Sequence, residues 1–104
     1  MLDDSLFVGA DLHEREVEVA KGRKITLWFK ELPAVEFLRF HALTTSKDED
    51  VSLGASARLI SACVVNPDGS QAMTYEKALT LKNRPLNVIL SAVLEVNGSS
   101  TGKL

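Results

Sequence analysis

A change of period near residue 30 constrains this chain more than any other feature. From Glu14 to Phe29 polar and apolar residues alternate. Val17 and Val19 interleave with Glu16 and Glu18, and Ile25, Leu27 and Phe29 interleave with Lys24, Thr26 and Trp28. Successive side chains of a strand point to opposite faces, so the pattern predicts two strands, each with one apolar face. Lys21-Gly22 lies between them, and glycine readily supplies the positive φ of a tight turn. Residues 14–30 therefore read as a β-hairpin. A lone hairpin is marginal in water, so its apolar face has to rest on the rest of the chain.

Beyond residue 30 the period becomes helical. Leu32-Pro33 opens a first helix, because a proline at the first helical position gives up an N–H that has no partner anyway. Val35, Phe37, Leu38, Phe40, Ala42 and Leu43 give that helix a broad apolar side. Ser46-Lys-Asp-Glu49 matches a capping box and predicts a second helix from about Asp48 to Val65. Its Gly54-Ala-Ser-Ala57 stretch is small enough for another helix to approach closely. Asn66-Pro-Asp-Gly69 is a turn. Thr74 caps a short helix, Tyr75–Leu81, and Pro85 opens a last one in which Leu86, Ile89, Leu90, Val93 and Leu94 recur at helical spacing. Asn97-Gly98 ends it.

The expected fold is α+β, mostly α: an N-terminal β-hairpin packed on about four helices. Residues 1–13 read as a flexible arm, 14–98 as one globular domain (hairpin 14–30, helices 33–98), and 99–104 as a flexible polar tail. A chain of 104 residues has room for one domain and buries roughly 60–70% of its unfolded surface.

Charge is uneven along the chain. Asp3, Asp4, Asp11, Glu14, Glu16 and Glu18 precede a basic stretch of Lys21, Arg23, Lys24 and Lys30. Paired as strands, these segments set opposite charges across the ladder. The net charge of −2 argues against nucleic acid as a partner, since phosphate binding needs clustered cations. No apolar run reaches the ~18 residues of a membrane span, and no signal peptide is expected.

Residues suited to catalysis are scattered. His13 and His41 have no partner at the spacing of a helical metal site, and Cys63 lies in an apolar run. No glycine-rich phosphate loop and no nucleophile elbow occurs. The expectation is a non-enzymatic protein with no cofactor and no metal.

Three stretches carry a resemblance. Gly22-Arg-Lys-Ile-Thr-Leu-Trp-Phe-Lys-Glu-Leu32 resembles the strand and helix entry of the tail assembly chaperones of long-tailed bacteriophages. Leu59-Ile-Ser-Ala-Cys-Val-Val-Asn-Pro-Asp-Gly69 resembles their helix running into a turn. Tyr75–Leu81 and Leu86–Gly98 resemble their closing helices. The family pattern often has Leu-Ser where this chain has Leu32-Pro33.

The resemblance implies an assembly factor of the host bacterial cytoplasm, absent from the mature virion. It would bind the long helical tape measure protein, keep it soluble and help recruit subunits of the major tail tube protein. Self-association is plausible, because many copies would be required. A longer form made by ribosomal frameshifting is also implied, and Gly102-Lys103 is encodable by a slippery run. The competing reading is a small regulatory or adaptor domain that binds another protein through the hairpin, with the helices folding independently of residues 1–30. Candidate protein-binding residues are Trp28, Phe29 and Phe37, and the apolar arm residues Leu6, Phe7 and Val8.

Overall fold

The alternation after Glu14 is realised as an antiparallel pair in the computed structural model of the chain, which describes residues 2–98. Strand β1 (Leu12–Ala20) pairs with strand β2 (Arg23–Lys30), from Leu12 opposite Lys30 to Ala20 opposite Arg23. Gly22 makes the turn at a φ of 76°. The register shifts between Glu18 and Ala20, a bulge next to the turn. Leu12 and His13 are already in the ladder, so the strand starts earlier than residue 14.

The helices are α1 (Ala34–Thr44), α2 (Glu49–Cys63), α3 (Tyr75–Ala78) and α4 (Asn83–Val96). Together with the sheet they make an α+β fold in which helix predominates. A third strand, β3 (Val64–Val65), follows α2 without a break and pairs antiparallel with β2, Val64 against Phe29 and Val65 against Trp28. The expected helix through Val65 is thus corrected: it ends at Cys63. Extended pairing with β2 satisfies the backbone there and keeps both valines buried.

Local chemistry sets the ends. Pro33 sits just before α1, as its N-cap rather than its first residue. The capping box at Ser46 does not form. Asp48 is the N-cap of α2 and its carboxylate accepts from Asp50 N and Val51 N, while Ser46 Oγ accepts from Asp48 N at 3.1 Å. An aspartate nearer the helix satisfies the same orphan donors and also suits the helix dipole. Thr74 caps α3 as expected, accepting from Lys77 N at 3.1 Å, although α3 stops at Ala78 rather than Leu81. Pro85 lies inside the first turn of α4, where its missing N–H costs nothing. Asn97 and Gly98 (φ 83°) end α4.

Asn66–Gly69 turns the chain back on itself. Gly69 N donates to Asn66 O, and the Asp68 carboxylate accepts from Ser70 Oγ and Ser70 N, which holds it below its ordinary range. The small stretch in α2 does receive a close neighbour. A Cβ at Gly54 would run into the Tyr75 hydroxyl, and Arg58 stacks 4.8 Å from the centre of that ring.

The core lies between the sheet and helices α2 and α4. Phe29, Ile60, Cys63, Val64 and Val93 are fully buried there, with Leu59, Ile89 and Leu94 around them. Burying one such large side chain contributes roughly 1.5–3 kcal/mol. Two exposed ion pairs tie α4 to β1: Arg15 to Glu95 at 2.7 Å and Arg84 to Glu18 at 2.5 Å. Each is worth at most about 1 kcal/mol in water. Across the hairpin itself the opposed charges meet once, Lys24 to Glu16 at 3.9 Å.

Candidate functional site

The first residues form one 3-10 turn, Asp4–Leu6. Asp3 caps it by accepting from Ser5 N at 2.8 Å, and that bond lowers its carboxyl pKa. The turn leaves Leu6, Phe7 and Val8 at 67%, 59% and 49% exposure. Just beyond them the arm is tied down at Glu31. The Glu31 carboxylate accepts from Gly9 N at 2.9 Å and meets His13 Nε2 at 3.2 Å. The Gly9 bond first, and the His13 contact second, hold Glu31 below its ordinary range. His13 is positioned for this by its place in β1, and Glu31 by the end of β2.

Between the arm and the helices lies an open cleft of about 600 Å³. Leu6, Phe7 and Val8 form one wall, Leu32, Pro33 and Ala34 another, and Val96, Asn97 and Gly98 the third. A second open cleft of about 440 Å³ is lined by Leu32, Pro33, Ser61, Ala62 and Val65 among others, so Leu32-Pro33 borders both.

Helix α1 continues this surface. Seven of its eleven residues are apolar, yet none is buried. Phe37 and Phe40 pack half-buried against the core. Val35 and Leu38 stand at 58% and 67% exposure. Leu38 lies one helical turn beyond Ala34, so the apolar cleft wall continues along the outside of α1. His41 is exposed on the same helix, edge-on to Phe40 with ring centres 5.5 Å apart.

The aromatic candidates separate. Phe29 has no exposure and belongs to the core, so it is corrected from a surface residue to a structural one. Its alternation already placed it on the apolar face of the hairpin. The idea that residues 1–30 detach from folded helices fails for the same reason, because removing Phe29 empties the centre of the core. Trp28 points to the other face of the sheet, opposite Glu14 and beside Val65, and is half-buried there. Phe37 borders the core at the root of α1. Only the arm residues Leu6, Phe7 and Val8 are both candidates and largely exposed, and they do not gather with Trp28.

Reasoning from sequence missed two parts of this surface. Val35 and Leu38 read only as part of a broad apolar side of the first helix, since apolar spacing alone does not say which part of that side is covered. Asn97 read only as a stop. Its Oδ1 accepts from Leu32 N at 2.7 Å, while its Nδ2 donates to Val93 O at 2.9 Å. It therefore pins the start of α1 to the end of α4 and shapes two walls of the cleft. The only prior signal was an amide side chain at a helix end.

Cys63 is not placed for nucleophilic chemistry. Its thiol is buried, donates to Lys30 O at 3.1 Å, and is pushed up to about 11 by that burial. A thiol, not a thiolate, is present at neutral pH, and the thiol is the unreactive form. Among the described residues no cluster of three or more His, Cys, Asp or Glu side chains has the geometry to hold a metal ion.

No protein-family model, no curated protein and no solved structure matches this chain.

Proposed function

We propose that this protein is a tail assembly chaperone of a long-tailed bacteriophage or prophage, acting by protein binding and not by catalysis. In this reading it covers apolar stripes of the tape measure protein in the host bacterial cytoplasm. It keeps that protein soluble, helps recruit the major tail tube protein, and is left out of the mature virion. The motif resemblance in Gly22–Leu32, Leu59–Gly69 and Leu86–Gly98 supports the family. The observation that carries the mechanism is the apolar surface formed by Leu6, Phe7 and Val8, the adjoining cleft, and the outer side of α1 at Val35 and Leu38.

A long helical protein with exposed apolar stripes aggregates unless those stripes are covered. The cleft mixes these apolar walls with Ser5, Glu31 and Asn97, and a groove with apolar walls and polar edges beside an uncovered helix suits an amphipathic helix anchored at i, i+3 and i+4 spacing. Several copies per tape measure protein are required in this reading, and self-association on the same protein follows from that. The frameshifted longer form would join at Gly102-Lys103, which lies outside the described residues, as does the expected flexible tail 99–104.

Co-expression with the tape measure protein encoded by the same phage tests the proposal. The expected result is a soluble complex, with the tape measure protein precipitating when this chain is omitted. Leu38→Glu is expected to abolish that solubilisation while changing the stability of the chaperone by no more than about 0.5 kcal/mol. No complex and no gain in solubility would sink the proposal. A complex lost on Trp28→Ala but untouched by Leu38→Glu would favour the adaptor reading through the hairpin.

A further inference from the structure

The chain has four asparagines, Asn66, Asn83, Asn87 and Asn97, and the residue after each decides which can react with its own backbone. An asparagine loses its amide when the next backbone nitrogen attacks the side-chain carbonyl carbon, so that nitrogen must carry a proton and be reachable. Pro67 follows Asn66 and has no N–H. Arg84 follows Asn83 and the β-branched Val88 follows Asn87, so a side chain crowds the attacking nitrogen in both. Gly98 follows Asn97 and has no side chain to crowd it. Asp68-Gly69 is the corresponding acidic pair, but the Asp68 carboxylate accepts from Ser70 and is held ionised, which makes it a poor electrophile.

The fold keeps Asn97 out of this reaction. Its ψ of 16° is near-helical and turns the Gly98 nitrogen away from the side chain. Gly98 N donates to Glu95 O at 3.0 Å. The side-chain amide is engaged at both ends, accepting from Leu32 N at 2.7 Å and donating to Val93 O at 2.9 Å. All of this lies at the end of α4, next to an exposed Gly98. Helix ends open at little cost in free energy. One opening frees ψ, the Gly98 nitrogen and the amide together.

We propose that Asn97 is a self-modification site, shielded by the end of α4 and reacting when that turn opens. The Gly98 nitrogen bonds to Asn97 Cγ and gives up its proton, and Nδ2 leaves as ammonia. The cyclic imide that forms then takes up water. Cleavage at the side-chain carbonyl gives aspartate, and cleavage at the main-chain carbonyl gives isoaspartate, whose chain runs through Cβ. Either product loses the Nδ2 donor to Val93 O and gains a carboxylate. An anion at the C-terminal end of a helix is disfavoured by the helix dipole. Isoaspartate also lengthens the main chain beside Gly98. The clasp on Leu32 N is weakened, and α1 is unfastened from α4 at the cleft. Water is the only co-reactant, so this holds whatever partner the apolar surface takes.

Ageing of the full chain at mildly alkaline pH tests the proposal, read by peptide mapping in a mass spectrometer and by methylation with an isoaspartyl methyltransferase. Conversion is expected at Asn97 ahead of Asn83 and Asn87. It is expected to run at least about tenfold faster in urea than in the folded chain, which reacts only through its open fraction. Asn97→Gln is expected to remove the isoaspartate signal. In the aged protein, and in Asn97→Asp, exchange of the Leu32 amide is expected to quicken while that of Ile60 stays slow. Conversion first at another asparagine, equal rates with and without urea, or an aged protein whose Leu32 amide keeps its protection would each overturn the proposal.

Discussion

Helices α1 and α4 have similar apolar content and opposite fates. In α4, Ile89, Val93 and Leu94 are buried, and its exposed side carries Asn87 and Glu95. In α1 no residue is buried, and Val35 and Leu38 face outward. The difference is one of position. α4 lies across β1 and against α2, so its apolar stripe has a partner on each side. α1 follows β2 at the margin and packs chiefly on α2, so it has apolar residues left over. One helix is scaffold; the other is half scaffold and half surface.

The largest effect that sharpens this contrast comes from truncating one apolar residue on each helix. Ile89→Ala is expected to cost about 2–5 kcal/mol in urea unfolding, by lost burial and a cavity. Leu38→Ala is expected to change stability by no more than about 0.5 kcal/mol. Equal costs would break the comparison, since Leu38 would then be covered.

A smaller effect concerns the joint between the two helices. Asn97→Ala leaves the Leu32 N–H without its acceptor and is expected to cost about 1–3 kcal/mol. Exchange of the Leu32 amide should quicken alongside. A stability unchanged within error would show that the clamp is incidental to where α1 begins.

The smallest effect lies at the arm. The pKa of Glu31 is lowered in the folded protein, so the unfolded chain takes up its proton first as pH falls. Its contribution is present above the ordinary glutamate pKa and is lost as pH drops through the folded value. The protection of the Gly9 amide, its exchange relative to an unprotected amide at the same pH, is therefore expected to fall on acidification below the ordinary carboxylate range. Glu31→Gln should remove that dependence while leaving Ile89 and Val93 packed. A Gly9 amide indifferent to both would mean the arm is held elsewhere.

Much of the local structure was legible. Alternating Val and Glu announced β1, Gly22 the turn, Thr74 the cap of α3 and Asn97-Gly98 the end of α4. Each is a preference of a few neighbouring residues, readable without the rest of the chain. β3 was not legible, because Ala62-Cys-Val-Val65 is a continuous apolar run that suits a helix or a buried strand equally. The cap of α2 was misplaced at Ser46, because Asp48, two residues nearer the helix, takes the capping role that the capping-box pattern gave to the serine. Of the candidate surface, Leu6, Phe7 and Val8 are the exposed apolar residues that the arm's composition suggested, whereas Phe29 was misplaced and Leu38 was missed.

The amino-acid sequence by itself determined the hairpin and the four helices, their order and most of their ends, because periodicity, turn residues and caps act over a few positions. Only the tertiary structure decided that Val64–Val65 joins the sheet, that Asn97 reaches Leu32, and that α1 keeps an apolar side uncovered. Those outcomes depend on which distant surface packs on a given face, and periodicity marks a face as apolar without saying what will cover it.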